Sequence, residues 1–460
     1  MIKIEDLKYY NKNDVVLVVV ESPNKVATIS KFLPKNFIVK PTVGYFNDIK
    51  NEGLYNLGID VKGDFEATYE IDPKKKDVVK ALKEAYSRAT KVVIMSDPDR
   101  CGEDIGYIVV KELKIPKKKY ARCTVHEITE KAILEALNNP RDIDMDLVHA
   151  AEARRKLDKI VGYRLSTIAR NKTSAKSVGR CQSPALKLIT EREEEINNFV
   201  PERFYEIWLS FIKNKIVYKA QYKGLIKDKK NTNKIDNKGD AMSLLNNCKG
   251  KDYIVYDIIS SDREVSPKPP FITSTLQQEA SSRLGYSVKR TSQLAQQLFE
   301  GINIKGEHQA LISYIRTDDT TLAPEFVETL QEFIKTNYGK DQWVGPRTKK
   351  KKSTDQSGHE AIRPIDLSIT PEKLSTLIND TAMINLYRLI YNRTIACAMP
   401  NCVITDTDYI ISNSGYKFVY TEHAIKVPGF RKVYALDDEE ISPSVGLVKG
   451  EKVIPYEENK

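Results

Sequence analysis

KVVIMSDPDRCGED, residues 91–104, decides the reading of the fold. An apolar run of strand character, KVVIM, delivers the chain into Asp97, Asp99 and Glu103, with Cys101 among them. In an extended segment a spacing of two points Asp97 and Asp99 to one side. Upstream, VVLVVV (15–20) is a second buried-strand run, and it ends in Glu21. The following ESPNKVATISKFL reads as a helix, with Pro23 in its first turn and Val26, Ile29 and Leu33 at helical spacing. KALKEAYSRA adds a charged helix, and IPKKKYARCTVHEIT with EKAILEAL another strand and helix. This alternation predicts a mostly parallel α/β sheet over the first 150 residues. Ligands of open α/β sheets bind beyond the carboxyl ends of the strands, so Glu21, Asp97 and Asp99 can converge there. Carboxylate oxygens are what a hard cation such as Mg²⁺ takes as ligands. On spacing alone, a solvated acidic turn accounts for the same residues equally well.

Beyond this region the character of the chain changes twice. Residues 146–198 read as helical. From Pro201, FYEIWLSFI, KIVYKAQYKG and YIVYDIIS alternate with the period of strands around a polar loop, KDKKNTNKIDNKGD. SPKPPF (266–271) is a boundary, after which STLQQEASSRLG, TSQLAQQLFEGI and MINLYRLIYNRTIACAM are helical; RTKKKKSTDQSG (347–358) reads as a mobile basic loop. Strand signals resume near residue 400. The expected organisation is an α/β domain (1–148), a helical segment (149–200), a β-rich domain from 201–265 and 401–460, and a helical domain over 266–400, without internal repeats.

The composition is that of a water-soluble chain, 41% hydrophobic and 30% charged, with no apolar run near the roughly eighteen residues a membrane span needs. The N-terminus lacks the basic-then-apolar order of a signal peptide, so a cytoplasmic or nuclear location is expected. The six cysteines form no CxxC pair and read as free thiols. Lys and Arg exceed Asp and Glu by 73 to 63, giving +10, which permits a nucleic-acid partner without demonstrating one.

LISYIRTDDT (311–320) raises a second possibility. If SYIR is extended, Tyr314 and Arg316 share a face. A tyrosine beside a guanidinium suits attack on a phosphodiester, because the Arg can clamp a phosphate oxygen and stabilise developing charge. With 24 tyrosines in the chain, packing is the commoner role for any one of them. HEAIRP (359–364) offers His359 and Arg363, or equally a helix start with Arg363 in a salt bridge.

ESPNKVATI, TVGYFNDI, SDPDRCGED, AEARRKLDKIVGY, SVGRCQSPAL, PPFITSTLQQEASSRLGYS, LISYIRTDDT and HEAIRP occur in the order found in type IA DNA topoisomerases, and together they resemble that family over nearly the whole chain. ESP at the first motif is more similar to the bacterial topoisomerase I branch than to topoisomerase III. The resemblance implies a toroid-like multidomain protein with a topoisomerase-primase (Toprim) α/β domain, a helical DNA groove, a β arch and a helical domain carrying the catalytic tyrosine. It implies Tyr314 as the nucleophile that retains a 5′ phosphate, Arg316 as phosphate clamp and Lys25 beside the leaving 3′ oxygen. Glu21, Asp97 and Asp99 are implied as the Mg²⁺ acids, with Glu103 as a retained later acid and His359 near the active site. Arg154, Arg155, Asp158, Arg180, Gln182, Arg363, Thr317 and Asp318 are implied to meet single-stranded DNA, and negatively supercoiled DNA is the implied substrate. Three departures stand out. Cys101 replaces the third acid of a DxDxE pattern, Tyr45 stands where the family commonly has His, and no PPxRFxEASLV-like segment follows, so the core is expected to be incomplete or complemented by a second polypeptide. A noncatalytic single-stranded-DNA-binding scaffold and a Toprim nuclease are the competing readings.

Overall fold

The computed structural model describes residues 7, 10, 11, 13–228, 230–348, 360–435 and 444–456. In chain order the elements begin with β1 (Val16–Val20), α1 (Pro23–Ser30), β2 (Phe37–Pro41), β3 (Asn47–Ile49), β4 (Tyr69–Ile71), α2 (Lys76–Arg88), β5 (Lys91–Ile94), α3 (Arg100–Glu112), β6 (Tyr120–Arg122) and α4 (Glu130–Asn138). Next come α5 (Met145–Lys172), α6 (Gln182–Asn197), β7 (Trp208–Lys213), β8 (Ile216–Leu225), α7 (Lys238–Cys248), β9 (Tyr253–Val265), α8 (Thr273–Leu284) and α9 (Val288–Glu300). The chain continues through β10 (Ile302–Ile304), β11 (Glu307–Gln309), α10 (Pro324–Asn337), α11 (Pro371–Ser375), α12 (Thr381–Ala396), β12 (Cys402–Asn413), β13 (Tyr416–Val427) and β14 (Lys452–Pro455). It divides into two compact units: residues 1–195, 269–330 and 348–394, and residues 196–268, 331–347 and 395–460.

In the first unit, β2-β1-β5-β6 form a parallel sheet. All five residues of β1 are buried, which is why its sequence is a continuous apolar run rather than an alternation. The chain leaves β1 for β2 on one side and later returns to β5 on the other, creating between β1 and β5 the crevice in which such sheets bind ligands. Val19 lies opposite Ile94 in that pair, so the segments carrying Glu21 and Asp97 leave the sheet side by side. Ser22 caps α1 ahead of Pro23. Asp99 caps α3, and Asp144 caps α5, whose 28 residues run for about 42 Å.

In the second unit, β12-β13-β8-β7-β14-β9 close into a barrel. Strands from before residue 266 and after 401 thus share one sheet, since β12 pairs antiparallel with β9 from Cys402–Val265 to Ser412–Ile254. Phe211, Ala220, Ile411 and Phe418 are fully or nearly fully buried in its core, where Ala241, Leu244 and Cys248 of α7 join them. The helix α7 was not anticipated from the polar stretch before it. Among the described residues no helix is long and apolar enough to cross a membrane.

Candidate active site

The site forms where the ends of β1 and β5 meet the segment that follows α9. Glu21 Oε1 accepts the Asp97 N–H at 2.9 Å, joining the two strand ends. Asp99 sits at the N-cap of α3 with extended backbone, and its Oδ1 accepts the Gly102 N–H at 2.8 Å. A Cβ at Gly102 would lie 2.2 Å from the Asp97 carbonyl and 2.8 Å from Glu21 Oε1, so only glycine lets the helix start this close to the acids. Lys25, on α1, is buried and ion-paired with Asp97 Oδ1, and its ammonium lies 4.9 Å from the centre of the Phe299 ring.

Tyr314 reaches the same place from more than two hundred residues away. Its hydroxyl donates to Asp99 Oδ2 at 2.7 Å, and Arg316 Nη1 donates to that same oxygen at 3.2 Å. Residues 311–320 contain only an isolated Ile312–Pro364 bridge and no strand. Long-range bonds hold the segment instead: Tyr314 N donates to His126 O, Ser313 N to Arg363 O, and Thr273 N to Thr317 O. Tyr314 is 2% exposed and its ring packs edge-on to Phe299.

The electrostatics are those of crowded acids. Burial, then the Asp97 charge, pushes Glu21 up to about 7 against the opposing pull of Lys25. Burial would raise Asp99 too, but the Gly102 N–H, the Tyr314 hydroxyl and Arg316 hold it below the ordinary range. Tyr314 is pushed well above a free tyrosine by burial and by the Asp97 and Asp99 charges, which Arg316 only partly offsets. Cys101 lies half-buried on the first turn of α3; burial and then the Asp99 charge raise its thiol, so it stays neutral at pH 7. By donor chemistry the carboxylates of Glu21, Asp97 and Asp99 suit a hard cation, and the elevated Glu21 marks negative charge that a cation would relieve. A neutral thiol at Cys101 does not add to that set. Among the described residues no three His, Cys, Asp or Glu side chains are already gathered as a ready-made cation cage.

Other expected site residues are placed differently. Glu103 does not join this group. Its Oε1 accepts from Arg141 and the Asp144 N–H, and its Oε2 from Arg122 and Arg141, at 2.7–2.9 Å. With all four acceptor directions filled by the protein, it is a structural anchor rather than a cation ligand. Arg363 is buried, donating to Glu127, Glu360 and the Pro364 carbonyl while stacking over Phe326, so its guanidinium is engaged internally and not offered to a nucleic acid. Arg155 likewise donates to Asn47 and lies over the rings of Tyr45 and Tyr69, tying α5 to β3. The Thr317 hydroxyl accepts the Asp319 N–H within a turn, and Asp318 is exposed. His359 and most of the basic stretch 347–358 lie outside the described residues.

Asp158, Arg180 and Gln182 are brought together in a cleft of about 1040 Å³ between α5 and the start of α6, alongside Tyr163, Arg164 and Arg170. Arg180 Nε donates to Asp158 Oδ1 at 2.7 Å, half-exposed Arg154 stands 3.8 Å from the same carboxylate, and Arg164 stacks 3.6 Å from the Tyr55 ring centre. Exposed cations interleaved with aromatic rings are what a single strand needs for its phosphates and bases.

One residue escaped the sequence reading. Arg122, 0% exposed, donates to the carbonyls of Ile94, Ser96, Asp97 and Cys123 as well as to Glu103. It fixes the path of 94–97 and thereby where Asp97 and Asp99 point. The available signal was an arginine in YARCTV, at the end of an otherwise apolar strand, where a charge is buried only if paired.

Comparison with known proteins gives a consistent result. Residues 16–128 match the Toprim domain family and residues 142–460 the DNA topoisomerase family. DNA topoisomerase 1 of Campylobacter jejuni is 38% identical over 451 residues, covering 96% of this chain and 63% of that protein. The Mycoplasma pneumoniae and Rickettsia felis proteins of the same name are 35% and 37% identical, covering 91% and 92% of this chain and 65% and 56% of theirs. The solved full-length topoisomerase I from Thermotoga maritima superposes with a TM-score of 0.78 at 32% identity, over 95% of this chain and 70% of that one. The chain therefore spans between 56% and 65% of the length of these curated relatives.

Proposed function

The chain belongs to the type IA DNA topoisomerase family, and from that premise we propose that Tyr314 cuts one DNA strand, keeps its 5′ phosphate, and reseals it after another strand has passed. The observation that carries this reading is the meeting of Tyr314 and Arg316 on one oxygen of Asp99, beside Lys25 and Phe299. In the cleavage step the Tyr314 hydroxyl gives up its proton and its oxygen forms a bond to phosphorus while the bond from phosphorus to the 3′ oxygen breaks and that oxygen takes up a proton, so that no proton is gained or lost overall. Arg316 is placed to hold a non-bridging phosphate oxygen and Lys25 to protonate or stabilise the leaving oxygen. One phosphodiester is exchanged for another, so resealing requires no ATP. As folded, Tyr314 is buried and its hydroxyl is a poor nucleophile, so DNA entry must uncover it and bring phosphate against Arg316. Asp97 and Asp99, with Glu21, would hold Mg²⁺, whose charge would position the cut ends for resealing. Negatively supercoiled DNA is the proposed substrate, bound along the α5–α6 cleft, in the cytoplasm.

The test is a single-stranded oligonucleotide labelled at its 3′ end, the end of the fragment that Tyr314 would retain, incubated with Mg²⁺. Formation of a covalent protein adduct that disappears in Tyr314→Phe supports the proposal. Free cut ends without an adduct would favour a nuclease, and DNA binding with neither product under any divalent metal would favour the noncatalytic scaffold.

A further inference from the structure

Taking Tyr314 as the nucleophile, we infer that it and a divalent cation compete for one atom, Asp99 Oδ2, so that Asp99 serves the cation well only once the tyrosine hydroxyl has been esterified.

The acceptor positions of Asp99 lead to this. Oδ1 is committed to the Gly102 N–H, the cap that starts α3. Oδ2 accepts both the Tyr314 hydroxyl and Arg316, and a carboxylate oxygen has about two lone-pair directions to give. Neighbouring acids are also partly engaged, since Asp97 Oδ1 holds the Lys25 ammonium and Glu21 Oε1 the Asp97 N–H. Three of the four acceptor directions of Asp99 are thus taken, and a cation that uses Oδ2, alone or together with Oδ1, has to displace an existing donor. Giving up the Gly102 N–H would uncap α3, and Arg316 can turn toward an arriving phosphate. Tyr314 is the donor whose bond chemistry itself removes: when its oxygen becomes bonded to phosphorus, it has no hydrogen left to donate, and Asp99 Oδ2 is released.

This couples the two halves of the reaction through one oxygen. Before cleavage, Asp99 restrains the tyrosine; after cleavage, it is free to hold a cation beside the ends to be joined. Linkage requires reciprocity: whatever factor the Tyr314 hydroxyl takes from cation affinity, a bound cation takes from the hold of Asp99 on Tyr314. Cys101, on the first turn of α3, offers no carboxylate to compensate for an occupied Asp99.

The experiment measures metal affinity rather than turnover. Mn²⁺, followed by electron paramagnetic resonance, and Mg²⁺, followed by calorimetry, are titrated into the DNA-free chain and its Tyr314→Phe variant, with circular dichroism confirming that both are folded. Phenylalanine keeps the ring against Phe299 and removes only the donor. The expected result is on the order of ten-fold tighter binding in Tyr314→Phe, the scale of a hydrogen bond to a charged group, and loss of that gain when Asp99→Asn is added. Equal or weaker binding in Tyr314→Phe, or a gain that survives Asp99→Asn, overturns the inference. The readout is independent of cleavage: tighter binding in Tyr314→Phe with no adduct in the wild type would sustain the competition while refuting the proposed function, and an adduct without the affinity change would do the reverse.

Discussion

Asp99 and Glu103 stand one turn apart at the start of a single helix, and the protein uses them in opposite ways. Glu103 lies between two arginines and a backbone N–H; burial would raise its carboxyl, but Arg141 and Arg122 hold it below the ordinary range. Asp99 belongs to a group of three carboxylates facing Lys25 and Arg316, where Glu21 rises to about 7. Around Glu103 every acceptor is filled by a donor with a structural role, Arg122, Arg141 and the Asp144 N–H. Around Asp99 the donors are the very residues proposed to perform the chemistry. What distinguishes a structural acid from a working one here is the identity of its donors and the charge left uncompensated, since both residues are substantially buried.

The largest effect expected from breaking this contrast is in folding. Glu103→Gln leaves Arg122 without its countercharge in a fully enclosed position, and removing one member of a buried pair costs about 3–5 kcal/mol. A urea titration should show it, and a loss under about 1 kcal/mol would erase the distinction between the two acids. Next comes a pH effect at Glu21. The folded carboxyl binds its proton near 7 and the unfolded one near the ordinary 4.5, so between these values the folded state carries more protons and stability falls as pH rises. In chelator, the melting temperature of Glu21→Gln minus that of the wild type should therefore climb from pH 5 to pH 8 and then level off. A flat difference would mean that the acids are not crowded. The smallest change is expected at Cys101. Cys101→Ser should alter stability by less than about 0.5 kcal/mol, whereas Cys101→Glu should tighten Mg²⁺ binding a few-fold in calorimetry; no change in that affinity would remove this position from the cation site.

Much of this region could be read in the sequence because its elements are local. The apolar runs leading into Glu21 and Asp97 are strands, ending at Val20 and Ile94, and the helix begins where Pro23 and the apolar spacing predict. Tyr314 and Arg316 do share a direction, although tertiary hydrogen bonds rather than a strand supply it. What periodicity could not give was pairing at a distance. Nothing in SDPDRCGED distinguishes Glu103 from Asp99 until Arg122 and Arg141, 19 and 38 residues further on, are folded against it. Arg155 and Arg363 look like surface cations by composition and are drawn inward by Asn47, Glu127 and Glu360. Barrel closure depends on strands more than a hundred residues apart, which no local window contains.

Arg122 also has a bearing on how this site can change over time. It grips main-chain oxygens at 94, 96 and 97, and every amino acid supplies those oxygens alike. The loop therefore keeps its course whatever side chains it displays, and chemistry can be exchanged at its tip without redrawing the backbone beneath. The same separation makes Asp97→Asn and Asp99→Asn near-isosteric replacements that ask a chemical question of a loop whose shape they leave alone.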